Sequence, residues 1–149
     1  MHSVQMINRK VRLMVGTGMC VAAFASAAEA EELPGLRSGL WEFKRTVEGA
    51  SAEGTAQTLV NQKCTDPTAD MRKGHETLTK SGCQFSPLTK SGNTYSFTAD
   101  CQIQGVHAQS HSIITVESES AYRVEVNSGQ GAQARKEVLV AKRIGECPK

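Results

Sequence analysis

The sequence has few aromatic residues and none of the common catalytic motifs, and these shortages exclude several classes of protein. Aromatic side chains make up 5% of the chain, with one Trp and two Tyr, which is too few for a platform that stacks nucleic-acid bases. No G-x-S-x-G, H-E-x-x-H or phosphate-binding glycine loop occurs. We therefore predict no catalytic residues, no metal site and no cofactor.

Long apolar runs are missing too, except within the first 30 residues. Residues 1–30 have the three parts of a signal peptide, namely basic residues at 9–12, an apolar stretch at about 13–28 and small residues at its end. The apolar stretch is shorter than the roughly 20 residues that a membrane span needs. We expect cleavage after Ala27 or Ala30, export to the periplasm, and no membrane span in the mature chain.

An excess of either charge is absent once the predicted signal peptide is removed. The full chain has 17 Lys and Arg residues and 15 Asp and Glu residues, and removal of three basic residues and one acidic residue leaves 14 of each. A net charge of zero argues against a nucleic-acid partner, which would require a basic surface. Residues 31–149 have the length of one domain, with a loose lead at 31–38 and a β-rich domain at 39–149.

Alternation of apolar and polar residues with a period of two is the main pattern of that domain, and it predicts half-buried strands. The predicted strands lie at residues 40–47, 55–64, 83–88, 94–103, 106–116, 122–126 and 134–144. Pro87 confines the third of them to an edge of the sheet. Seven such strands favour a mainly β fold, an antiparallel meander that forms a curled sheet or a small barrel.

The hairpin of residues 94–103 and 106–116 is predicted in more detail. Only two residues separate its strands, and Gly105 can adopt the positive φ that such a tight turn demands. This loop length sets Phe97 opposite Ser112, so that large residues face small ones on one side of the sheet.

One segment interrupts the strands with a helix. The run Thr65-Asp66-Pro67 is typical of a helix start, with the threonine or the aspartate as the capping residue and the proline near the first turn. We predict one short helix that ends near Lys73, because Gly74 follows.

The cysteines favour two disulfides. Cys20 lies in the predicted signal peptide, which leaves Cys64, Cys83, Cys101 and Cys147 in an exported chain. No pair has the C-x-x-C spacing of a redox or zinc site. Four cysteines allow three pairings, and we predict Cys64–Cys83, which closes the helical segment, and Cys101–Cys147, which ties the tail to the sheet.

The histidines and serines do not form a predicted active site. His107 and His111 lie on one face of the same strand, and four strand residues span about 13 Å, which is too far for one metal ion to bridge without a ligand from another strand. Ser110 and Ser112 point to the opposite face, so neither can reach those histidines. We interpret the histidines as exposed surface residues.

A tryptophan near the start of the domain offers a ligand-binding alternative. G-L-W at residues 39–41 opens the first strand, and Arg143 lies in the last strand. This arrangement is similar to lipocalins, and the similarity implies a ligand-holding barrel whose end is closed by the tryptophan, with the arginine packed on it. In such a barrel Trp41, Tyr95 and Phe97 would face an interior ligand.

Longer motifs match a second family. The chain has G-L-W-E at residues 39–42, S-G-N-T-Y at 91–95 and K-R-I-G-E-C-P at 142–148, besides its cysteines and signal peptide. Together these features resemble a family of bacterial periplasmic proteins known as domain of unknown function 3617, over nearly all of residues 39–148. The resemblance implies a periplasmic location and four paired cysteines, and it implies no activity and no catalytic residues.

These observations favour a non-enzymatic binding or interaction protein. Its partner would be another protein or a small apolar ligand. If the partner is a small apolar ligand, the protein would be a lipocalin-like carrier. One rival hypothesis is a hydrolase whose site is assembled from loops, and another is a structural envelope protein with no small ligand. A histidine and a serine or carboxylate meeting in one concave pocket would favour the hydrolase.

Overall fold

The computed structural model describes residues 32–49 and 55–149, so the predicted signal peptide lies outside the described residues. Eight strands and one α-helix make up this part of the chain. They are β1 (Gly39–Glu48), β2 (Gln57–Thr65), α1 (Pro67–Lys80), β3 (Cys83–Phe85), β4 (Thr89–Ser91), β5 (Thr94–Ile103), β6 (Val106–Ser118), β7 (Ala121–Ser128) and β8 (Arg135–Gly145). No described helix has the length and apolar character that a membrane crossing needs.

All the strands belong to one antiparallel sheet, in the order β2-β1-β8-β7-β6-β5-β3, with β4 also paired to β5. This confirms the predicted mainly β, antiparallel fold. Among the described strands none joins β2 to β3 or β4, so the sheet is open and the small-barrel alternative is wrong. The count of seven is also wrong, because the segment around Pro87 divides into β3 and β4.

The β5–β6 hairpin confirms its predicted register. Phe97 lies opposite Ser112 in the pairing of the two strands. The turn places Gln104 at a φ of 50° and Gly105 at a φ of 81°. Two successive positive φ values are those of a type I′ turn, whose twist matches that of the flanking strands.

The helix begins as predicted but is longer. Asp66 caps it by accepting a hydrogen bond from the backbone N–H of Ala69 at 3.0 Å. The predicted end at Lys73 is wrong, because α1 continues through Gly74 to Lys80. A single glycine inside a helix costs about 1 kcal/mol, which the turns on either side of it offset here. The chain leaves the helix only at Gly82, which has a φ of 106°.

The hydrophobic core lies on one face of the sheet, which we call the core face. Its side chains come from five central strands and are partly covered by α1 and by the segment before β1. The buried members are Leu36, Trp41, Tyr95, Ile114, Tyr122 and Ala141. The opposite face, which we call the polar face, presents ion pairs such as Arg123–Glu125.

The segment before β1 differs from the loose lead that the sequence suggested. The hydroxyl of Thr68 accepts a hydrogen bond from the N–H of Leu36 at 3.0 Å and donates one to the carbonyl of Pro34 at 2.7 Å. The N–H of Arg37 donates to the carbonyl of Glu119 at 2.8 Å. The side chain of Leu36 is 8% exposed, so this segment is part of the core.

The four predicted cysteines form two disulfides, but the predicted pairing is wrong. The bonds join Cys64 to Cys147 and Cys83 to Cys101. Cys83 lies directly opposite Cys101 in the β3–β5 pair. Cys147 reaches Cys64 because β8 lies beside β1, whose other neighbour is β2. The predicted pairing is wrong because the pairing depends on the order of the strands in the sheet, which local sequence patterns do not encode.

We predict that the two disulfides differ in their contribution to stability. They close chain segments of 83 and 18 residues, and the longer segment loses more entropy in the unfolded state. Replacing Cys64 and Cys147 together by alanine should lower the free energy of unfolding by about 4.5 kcal/mol, and replacing Cys83 and Cys101 by about 3 kcal/mol.

Denaturant unfolding of the two double variants measures this difference. Non-reducing peptide mapping should also recover Cys64 linked to Cys147. A peptide that contains Cys64 linked to Cys83 would contradict the structure.

Candidate functional site

The three residues predicted to face an interior ligand lie on the core face. Trp41 is fully buried, and its ring lies 5.6 Å from that of Tyr122. Tyr95 is 7% exposed. Phe97 is half-buried and packs 5.9 Å from Phe85 at the edge of the sheet. These side chains pack against one another and their neighbours, as core residues do.

The tryptophan and arginine that resemble lipocalins are neighbours in the sheet. Arg143 on β8 lies directly opposite Trp41 on β1. The guanidinium donates to the carbonyl of Ser38 at 2.9 Å and pairs with Glu146, while the indole N–H of Trp41 donates to the carbonyl of Arg37 at 2.9 Å. Through these hydrogen bonds, Trp41 and Arg143 hold the segment before β1 against the end of the open sheet.

A polar cleft lies where β7 ends and the β5–β6 hairpin continues beyond it. Its volume is about 400 Å³. Residues from both faces of the sheet line the cleft, because it lies where the sheet loses one strand. It is lined by Thr98, Ala99, Asp100, Gln109, Ser110, His111, Asn127 and Gly129.

The carboxylate of Asp100, the charged group of this cleft, already has hydrogen-bond partners. The carboxylate of Asp100 accepts a hydrogen bond from the side-chain amide of Gln109 at 2.7 Å and lies 2.8 Å from Nε2 of His107. The bond from Gln109, followed by the one from His107, holds the pKa of Asp100 below its ordinary value. All three side chains are exposed, so the carboxylate stays ionised as a surface acceptor.

The cleft is lined by a carboxylate, a serine and a histidine, which are the residue types that a hydrolase site would combine, but the serine projects from a different face of the sheet than the histidine. Ser110 lies opposite Ala99 and points to the core face, whereas His107 and His111 extend from the polar face of the same strand. Ser112 is buried on the core face at 6% exposure. Within the described residues, no group of three or more His, Cys, Asp or Glu side chains could hold a metal ion.

Asp70 and His75 have structural partners. Asp70 accepts hydrogen bonds from Lys63 at 2.9 Å and from Thr65 at 2.6 Å, and these bonds lower its pKa. His75 lies in α1, where its ring packs at a tilt against that of Phe85, with the ring centroids 4.3 Å apart. These contacts join the helix to β2 and β3, at opposite edges of the sheet.

Strand β2 is exposed along nearly its whole length. Every residue from Gln57 to Cys64 is exposed, although the strand is nine residues long. Leu59 is 68% exposed and Val60 is 58% exposed. On one side β2 pairs with β1, and on its other side, which we call the open edge, no described strand is paired.

The sequence predicts this strand at residues 55–64, but nothing in it singles the strand out as a binding edge. The pattern at residues 57–65 has no apolar face. A strand with polar residues on both faces contributes little to a core, so it is expected at an edge. That weakness is the signal that could have identified the open edge.

The structure defines a small, disulfide-braced domain built on an open antiparallel sheet. The chain belongs to a family described as "Protein of unknown function (DUF3617)", whose model matches residues 36–147. The matched region contains every described strand and both disulfides. Comparisons with curated proteins and with solved structures give no match.

We predict that Tyr122 makes the domain sensitive to high pH. Tyr122 is 4% exposed, and burial, with the nearby carboxylate of Asp70, raises its pKa to about 12 from an ordinary 10. Because the folded pKa is the higher one, the stabilisation is complete below pH 10 and is lost as the pH rises towards 12. The loss should reach roughly 2–3 kcal/mol.

Denaturant unfolding between about pH 9 and pH 12 measures this loss. The conservative variant Tyr122→Phe should show a smaller decline than the wild type over the same interval. Titration of Tyr122 near pH 10 would instead indicate that water reaches the interior, as it would in an open ligand cavity.

Proposed function

We propose that this chain is an exported, non-enzymatic interaction protein that binds an extended segment of another polypeptide along the open edge of β2. The single observation that carries this proposal is the exposure of β2 on both of its faces. An edge strand offers a row of backbone donors and acceptors, and an added strand satisfies them.

Strand β2 is well suited to accept a strand. Its pairing with β1 runs from Gly39↔Thr65 to Val47↔Gln57 without a register shift, so its edge is regular. Cys64 ties its end to Cys147, which keeps it on the sheet. Leu59 and Val60 are adjacent and therefore project to opposite faces, where each can contact a partner's side chain.

The other edge of the sheet is protected in ways that β2 is not. Strands β3 and β4 have three residues each, and Pro87 lies between them. Short strands and proline are the usual means by which an edge avoids pairing with another chain. The contrast between the two edges supports a binding role for β2 in particular.

Two alternative functions have less support. A carrier of a small apolar ligand would need interior space beside Trp41 and Tyr95, and both residues are packed into the core. A serine hydrolase would need a serine beside His107 or His111, and Ser110 projects from the opposite face, so the cleft favours a hydrolase only through its Asp100–His107 pair.

Export is the part of this proposal that rests on the sequence and on the disulfides. Two disulfides are compatible with an oxidising compartment. The signal-like residues 1–30 support the periplasm as that compartment.

Selection of nine-residue peptides that bind the purified protein tests the proposed function. We expect selected peptides to shift the backbone amide resonances of residues 57–65 in an NMR titration. The variant Val60→Lys should weaken peptide binding at least about tenfold, because a lysine on the edge opposes strand addition.

The matched control is Val106→Lys. Val106 is also a strand valine and is 66% exposed, but it lies at the tip of the β5–β6 hairpin. Peptides should bind this variant as they bind the wild type. Peptides that map to the Asp100 cleft or to the core face, with binding unchanged in Val60→Lys, would contradict the proposal.

A further inference from the structure

We propose that a second copy of this chain occupies the open edge of β2, so that two sheets join across a two-fold axis into one continuous sheet. This inference rests on the proposed function, because it names the partner that β2 binds. An isologous contact of this kind uses the same strand on both copies.

Symmetry restricts how two β2 strands can pair. A two-fold axis perpendicular to the sheet makes the strands antiparallel and places both core faces on the same side. Residues that lie opposite each other must then belong to the same face, as Leu59 and Asn61 do. The pair on the two-fold axis therefore consists of the same residue from each of the two copies.

The side chains of β2 favour Val60 as that central residue. Val60 would then face the Val60 of the other copy on the polar face. On the core face, each Leu59 would lie opposite Asn61 and diagonal to the other Leu59, within side-chain contact. This register therefore covers the two large apolar side chains that β2 exposes, at 68% and 58%.

The charges of β2 permit this pairing. Lys63 is the only charged residue of the strand, and its ammonium is paired to Asp70 at 2.9 Å. In the register centred on Val60, Lys63 lies opposite Gln57 of the other copy. No two like charges are opposed, and the central residues carry none of the charged side chains that usually protect an edge.

The size of the contact sets its expected strength. One nine-residue strand buries less than the interfaces of stable dimers, which begin at roughly 1,200 Å². We therefore expect a reversible dimer that forms at about 0.1–1 mM protein.

Sedimentation equilibrium of the purified protein from about 10 µM to about 1 mM tests the proposal. The wild type should change from monomer to dimer over this range. Val60→Lys places two lysines opposite each other and should weaken association at least about tenfold. Val106→Lys should associate as the wild type does, and circular dichroism checks that each variant is folded.

A charge-pair experiment tests the register. Val60→Glu alone should also weaken association, whereas an equimolar mixture of Val60→Glu and Val60→Lys should form a heterodimer, because opposite charges then face each other. Association that is unchanged in both variants would overturn the proposal, as would a mixture that stays monomeric.

The association and peptide-binding experiments together distinguish a failure of this inference from a failure of the proposed function. A wild type that remains monomeric at about 1 mM, yet binds peptides along residues 57–65, would overturn the second copy as partner and leave the interaction function standing. A protein that neither dimerises nor binds peptides at β2 would overturn both.

Discussion

The pairing of β1 with β8 holds the domain together. These strands come from opposite ends of the described chain, and their register runs from Leu40↔Gly145 to Glu48↔Lys136. Without this contact the sheet would separate into a β1–β2 hairpin and the β5–β8 meander. The same pairing sets Phe43 beside Ala141 and Trp41 beside Arg143, so the most deeply buried part of the core depends on it. It also brings the tail within reach of Cys64.

The position of β8 also determines where the domain can bind. Because the last strand enters the middle of the sheet, β2 remains outside it, away from the core. The helix starts next to β2 and continues to β3, where it partly covers the core face instead of the open edge. Burial, aromatic packing and disulfides therefore stabilise the centre, and the backbone groups along the open edge of β2 stay available for another strand.

Local patterns predicted much of this fold. The alternation around Phe97 and the turn at Gly105 determined the β5–β6 hairpin, and Asp66 marked the start of the helix. These features depend on neighbouring residues, which a sequence displays directly. The disulfide pairing and the extension of α1 past Gly74 depend on contacts between distant segments. The open edge depends on the strand order, which the sequence does not display, although the lack of an apolar face in β2 is typical of an edge strand.

Hydrogen exchange of the β2 amides at low and high protein concentration tests the open edge most directly. In an antiparallel edge strand, alternate N–H groups point away from the neighbouring strand. We predict that these amides exchange rapidly in dilute protein and become protected in concentrated protein, while the amides of β8 stay protected in both. Full protection of all β2 amides in dilute protein would contradict this account, because the edge would then already be covered.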